Sequence, residues 1–150
     1  MALIKIRNAR ESEAAELEAL QRRSSDVWEE HRQQLAAHRD AIEFPRHFID
    51  QGWTRVAVLG DDTPLGFSVV IPGQSGAHEL DGLFVEPHQM RRGIGRSLVE
   101  DACARARRTG GRRLEVTAGP ARAFYEALGF HVVGTVRTRF APAFRMRRDL

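Results

Sequence analysis

At 150 residues and 16.9 kDa, with 42% hydrophobic side chains, the chain reads as one domain, 1–150, able to bury a core without disulfides or metals. A 29% charged fraction, a mean hydropathy of -0.40, no apolar run of membrane-spanning length, no leader-like stretch in Met1–Arg7 and a single cysteine point to a cytoplasmic protein and exclude a disulfide framework. The net charge of +3 arises in the last third, where residues 101–150 hold 11 basic and 4 acidic side chains; since only Lys5 of 23 basic residues is a lysine, the bias fits codon composition and an anionic small ligand better than a nucleic-acid surface.

Leu3 to Arg7 alternates apolar and charged residues, which predicts a half-buried strand. Ser12 opens a helix with Ala14, Leu17 and Leu20 at helical spacing, and Ser24 or Ser25 can cap a second one running through Trp28, His31 and Leu35. Pro45 starts a short helix over Arg46 to Ile49. From Trp53 the period becomes two: strands over Arg55 to Leu59 and Leu65 to Ile71 flank a turn at 60–64, and a third covers Ala77 to Val85. After a loop over Pro87 to Arg92, Ile94 to Arg108 predicts a helix whose apolar face is Ile94, Leu98, Val99, Ala102, Cys103 and Ala106, stopped by Gly110-Gly111. Arg113 to Thr117 follows as a strand, Pro120 to Leu128 as a short helix ended by Gly129, and His131 to Arg137 and Arg139 to Arg147 as closing strands, the last interrupted by Pro142. This order predicts an α+β fold on one mixed, mostly antiparallel central sheet flanked by helices.

Two stretches carry chemistry. In the first, a strand ending Leu83-Phe84-Val85 feeds a loop, Arg91-Arg92-Gly93, and then at once the helix Ile94-Gly95-Arg96-Ser97. The free amides and positive dipole end of such a helix suit phosphate oxygens, glycines 93 and 95 let the backbone approach the ligand, and three arginines add charge. A third glycine of a dinucleotide fingerprint and the Gly-Lys-Ser/Thr of a P-loop are both missing. The second stretch, Phe124-Tyr125-Glu126-Ala127-Leu128-Gly129-Phe130, taken by itself is a short helix with core aromatics and a glycine C-cap.

Taken together, the two stretches resemble the GNAT superfamily of acyl-CoA-dependent N-acetyltransferases. Gly93, Ile94 and Gly95 match its Arg/Gln-x-x-Gly-x-Gly/Ala pyrophosphate loop, and Ala121, Phe124, Tyr125, Leu128, Gly129 and Phe130 match its later tyrosine segment. Leu83, Phe84, Val85 and Pro87 match the strand edge that pairs with pantetheine. The resemblance implies acetyl-CoA as cosubstrate, held by Leu83, Phe84, Val85, Arg91, Arg92, Gly93, Ile94, Gly95, Arg96, Ser97 and Tyr125, with no metal. It implies transfer to a primary amine, on a small molecule or a peptide, by direct attack on the thioester; a homodimer is compatible with it. Met90 stands at the usual Arg/Gln position and Ala118 at the usual Asn position, so the alternative is a non-catalytic acyl-CoA-binding regulatory module.

An alkyl ammonium, with a pKa of about 10, must lose a proton before it attacks. The resemblance places the base on the third meander strand, where Glu79 and Asp81 stand two apart on one face; Glu79 is preferred because it reaches further. Val85 offers an amide to the developing oxyanion, and Tyr125 an acid to the departing thiolate. Cys103 falls on an apolar helix face and reads as packing, and the six histidines form no metal-binding spacing. By the resemblance, Trp28, His31, Phe44, His47 and Phe48 lie on the acceptor side.

Overall fold

A computed structural model describes residues 3–25, 44–137 and 142–150. Its strands are β1 (Lys5–Asn8), β2 (Thr54–Val58), β3 (Pro64–Ile71), β4 (Ala77–Val85), β5 (Arg113–Ala118), β6 (His131–Arg137) and β7 (Pro142–Asp149). The helices are α1 (Ala14–Ser25), entered through a 3-10 turn at Glu11–Glu13, α2 (His47–Asp50), α3 (Ile94–Arg108) and α4 (Arg122–Ala127). One mixed sheet of seven strands, in the order β1-β2-β3-β4-β5-β7-β6, carries them. The β4/β5 pair is parallel, and β1/β2, β2/β3, β5/β7 and β6/β7 are antiparallel. Among the described residues no helix is long and apolar enough to cross a membrane.

Contacts divide the chain into two compact units, Met1–Val69 with Gly82–Asp101, and Val70–Asp81 with Ala102–Leu150. In the first, β3 is buried along nearly its whole length, as befits a strand covered on both faces whose run Gly66 to Val70 holds one polar side chain, the buried Ser68. The start of α3 lies on this part of the sheet, with Ile94 and Leu98 packed on Ala57 and bordered by Ile4, Ile6, Leu65, Leu83 and Val85. Gly66 permits that approach: a Cβ there would stand 3.0 Å from the Phe84 carbonyl oxygen and 3.1 Å from side-chain carbons of Ile94 and Leu98. In the second unit, β7 lies between β5 and β6, with Met146, Leu114 and Val116 buried and the β6 pattern half-exposed, as befits an edge strand.

Several boundaries differ from the sequence reading. Ser24 and Ser25, expected as caps of a second helix, stand in the last turn of α1, and Ser24 is buried there. The remainder of that expected helix, with Trp28, His31 and Leu35, lies outside the described residues. Pro142 is itself part of β7, paired with Arg137, and the expected strand residues before it, 139–141, lie outside the described residues. The loop after β4 contains a 3-10 turn over Pro87–Gln89, and Pro120 precedes α4 without joining it.

Candidate active site

The loop that enters α3 has an unusual backbone. Arg91 (φ +67°) and Gly93 (φ +84°) both occupy the left-handed region, which costs a glycine nothing and an arginine about 1 kcal/mol or more. Left-handed residues at alternate positions turn successive amides toward one side, a concavity suited to an anion. The Ser97 amide bonds the Gly93 carbonyl at 3.0 Å, so the amides of Ile94, Gly95 and Arg96 precede the first helical bond and have no acceptor on the helix. Arg91, Arg92 and Arg96 are exposed, and no ion pair engages them among the described residues. Ile94 is buried at 2% exposure and anchors the helix start, while Gly95 and Ser97 are half-buried. Sequence reasoning found the glycines and missed the left-handed arginine, because nothing in its side chain announces that conformation.

At the end of β4, Leu83, Phe84 and Val85 are half-buried. The Glu86 amide donates to the Leu65 carbonyl of β3 at 2.8 Å, so by strand alternation the Val85 amide points away from β3. An aromatic series supports this strand end: Phe84 packs on Phe67 (5.3 Å between ring centroids), Phe67 on Phe44 (5.5 Å) and Phe44 on Phe48 (6.0 Å). Phe44 is thereby part of the core, while His47 contacts Phe48 and Trp53.

Glu86, at the loop's entrance, is buried and holds Arg23 of α1 through two hydrogen bonds of 2.7 and 2.6 Å. The guanidinium keeps its carboxyl below the ordinary glutamate range, against the opposing effect of burial. A depressed acid stabilises the fold above its unfolded pKa, about 4.3, and loses that contribution as pH falls through the folded value. Arg23→Met is therefore expected to lower stability at pH 7 by about 1 kcal/mol, a figure reduced for the half-exposed Arg23. The difference from the native chain should shrink toward zero below pH of about 4. Urea midpoints at the two pH values check it.

In the second unit, α4 presents Tyr125. The Phe130 amide bonds the Tyr125 carbonyl at 3.1 Å and the Gly129 amide bonds that of Glu126 at 3.2 Å, with Gly129 at φ +90°. This is the Schellman arrangement, and its usual apolar contact is present as the edge-to-face pair of Tyr125 and Phe130, 5.4 Å apart. Leu128-Gly129-Phe130 thus fixes where the tyrosine stands. Tyr125 is 6% exposed, and burial raises its phenol pKa well above the ordinary value, so it stays protonated. Cys103 and Ala118 are buried core residues.

Glu79 and Asp81 lie on one face of β4, and they differ. Both Glu79 carboxylate oxygens accept from Arg145 of β7, at 2.9 Å each. Asp81 makes no hydrogen bond or ion pair among the described residues. Although exposed by surface area, its carboxyl is partly desolvated by surrounding protein, and this, with the charge of Glu79, raises its pKa above the ordinary aspartate value. Registered pairing of β4 with β5 covers only Ala77–Glu79 against Arg113–Glu115, so Asp81 lies just past its end.

A model of the acetyltransferase (GNAT) family matches residues 14–130. The chain is 33% identical over 134 residues to the peptidyl-lysine N-acetyltransferase YjaB of Salmonella typhimurium, covering 88% of this chain and 86% of that one. It is 35% identical over 139 residues to the protein of the same name in Escherichia coli, covering 88% and 85%. Among solved structures, the PaiA N-acetyltransferase of Thermoplasma acidophilum in complex with coenzyme A has the same fold, with a TM-score of 0.79, 20% identity and 99% of each chain covered.

Proposed function

This chain belongs to the GNAT acetyltransferase family and is an N-acetyltransferase, and from that premise we propose that it acetylates the side-chain amine of lysine in a peptide or protein, using acetyl-CoA. The lysine acceptor rests on the two peptidyl-lysine acetyltransferases, which are similar over most of their length. The observation that carries the coenzyme reading is the loop at 91–97: paired left-handed residues, free helix-start amides and three arginines without ion-pair partners among the described residues. Pyrophosphate oxygens would accept from the amides of Gly93, Ile94, Gly95 and Arg96, with Arg91, Arg92 and Arg96 adding charge. Leu83, Phe84 and Val85 would pair with pantetheine, and the Val85 amide would meet the oxyanion. We read 1–150 as one catalytic domain.

In the reaction the neutral amine attacks the thioester carbonyl directly, its proton passes to a carboxylate of β4, Glu79 or Asp81, and the carbon–sulfur bond then breaks. Tyr125 serves the departing sulfur. Because burial raises the phenol pKa far above that of a thiol, about 8.5, its contribution is a hydrogen bond that strengthens as negative charge develops on sulfur. The test is coenzyme A release from acetyl-CoA over a panel of lysine peptides, free amino acids and polyamines, with the acetylated atom located by mass spectrometry. Release with lysine peptides supports the reading. Turnover confined to small amines moves the acceptor class, and acetyl-CoA binding without turnover on any amine favours a regulatory module.

A further inference from the structure

One face of the second unit carries a ladder of charges across three strands. On β4 stand Glu79 and Asp81; on β5, Arg113, Glu115 and Thr117; on β7, Arg145, Arg147 and Asp149. The register explains their meeting: Glu79 pairs with Glu115 across β4/β5, Glu115 with Arg147 and Thr117 with Arg145 across β5/β7. Glu79 and Glu115 are therefore like charges set directly opposite, an arrangement that opposes strand pairing unless a cation intervenes.

Arg145 is that cation. Its Nη1 donates to Glu79 at 2.9 Å and to the Thr117 hydroxyl at 2.8 Å, and its Nη2 donates to the second Glu79 oxygen at 2.9 Å and to Glu115 at 3.2 Å. Hydrogen bonding to Glu79, foremost, raises the already high pKa of the guanidinium, so it is cationic at every working pH. Arg113 approaches Glu115 at 3.7 Å, and Arg147 approaches Asp149 at the same distance. The arginines of this face thus have carboxylate partners, and Asp81 is the acid left over.

Building on the acetyl-transfer reading, we infer that Arg145 is a positioning residue for catalysis: by clamping Glu79 and Glu115 it leaves Asp81 as the carboxylate of this face that takes the acceptor's proton. A carboxylate chelated by a planar guanidinium must break two charge-assisted hydrogen bonds to become a carboxylic acid. Asp81 breaks none. Burial first, and then the charge of Glu79 on its own strand, raise the proton affinity of Asp81; the other charged groups of this face are Glu115 and Arg113 on β5 and Arg145 and Arg147 on β7, and β3, its other neighbour in the sheet, has no titratable side chain. The negative charge of Glu79 makes Asp81 a stronger base, and a cation clamped on Glu79 opposes that effect.

The test is the pH profile of kcat/KM with acetyl-CoA and a lysine peptide, together with NMR titration of the aspartate and glutamate carboxyls, which needs no acceptor. Asp81→Asn should reduce turnover by about 10²–10⁴. Glu79→Gln should cost less than about tenfold and shift the acidic limb to lower pH, since one negative neighbour is gone. Arg145→Gln should shift that limb and the Asp81 titration upward by about half a unit to one unit, and Arg145→Lys should restore most of the position. Should Arg145→Gln fail to fold, the downward shift in Glu79→Gln reads the same coupling with the opposite sign. A larger loss in Glu79→Gln than in Asp81→Asn overturns the inference, as does an Asp81 titration unmoved by both neighbouring substitutions. If no lysine peptide is acetylated, the acceptor reading fails while the NMR titrations still decide the role of Arg145.

Discussion

Gly95→Glu is expected to abolish the thermal stabilisation that acetyl-CoA confers on the native chain. A ligand at a hundred times its Kd stabilises the folded state by about 2.7 kcal/mol, which for a chain of this size raises the melting temperature by about 5–10 °C. Gly95 is the second residue of α3, ahead of the first helical hydrogen bond from Ser97 to Gly93. A glutamate there lies beside the amides that would receive pyrophosphate. Its charge occupies the positive end of the helix and repels the ligand, as a bulky side chain also obstructs it. The free protein should not suffer, because glutamate favours a helix more than glycine does and an anion suits the first turn. This separates the substitution from changes at Gly93, whose φ of +84° would strain any side chain and confuse binding with folding. Scanning fluorimetry with and without acetyl-CoA reads the result. A full shift in Gly95→Glu would mean that the coenzyme does not use this helix start.

The parts of the fold that the sequence specified most sharply are those in which several local signals coincide. The α3 bounds, Ile94 to Arg108, follow from a six-residue apolar face and from Gly110-Gly111, where the Gly111 amide bonds Ala106 at 2.7 Å and Gly110 sits at φ +85°. The Tyr125 segment is legible for the same reason, since its glycine and its following aromatic both belong to one C-cap. Ser24 and Ser25 show the opposite case. A serine pair is a good N-cap and an acceptable last turn, and nothing in the local sequence announces that both belong to α1 with Ser24 buried. The preference for Glu79 over Asp81 as base came from reach alone. Arg145, 66 residues away, engages it through strand order and register, which no spacing along the chain expresses. The alternation of Glu115 with Thr117 and of Arg145 with Arg147 does mark one charged face on each strand, and opposite signs on two strands could have suggested a pairing.

Tyr125→Phe is expected to lower kcat by about 10²–10⁴ while the affinity for acetyl-CoA stays near its native value. The substitution keeps the ring, and the ring is what the surrounding contacts use: Phe124 at 5.1 Å, Phe130 at 5.4 Å, and the backbone bonds from Phe130 and Leu128 to the Tyr125 carbonyl. Stability should therefore change little, so lost turnover cannot be attributed to a displaced helix. Burial holds the phenol protonated throughout the working range, so no ionisation of Tyr125 should limit the rate at alkaline pH in the native enzyme. The hydroxyl's effect should instead depend on the leaving group. A donor thioester whose thiol is more acidic needs less stabilisation as it departs, and the gap between Tyr125→Phe and the native chain should narrow with it. A gap that is the same for all thioesters would assign Tyr125 to orienting the coenzyme. Equal turnover in the two proteins would leave it as an element of packing, and the departing sulfur would then be served by water or by another donor.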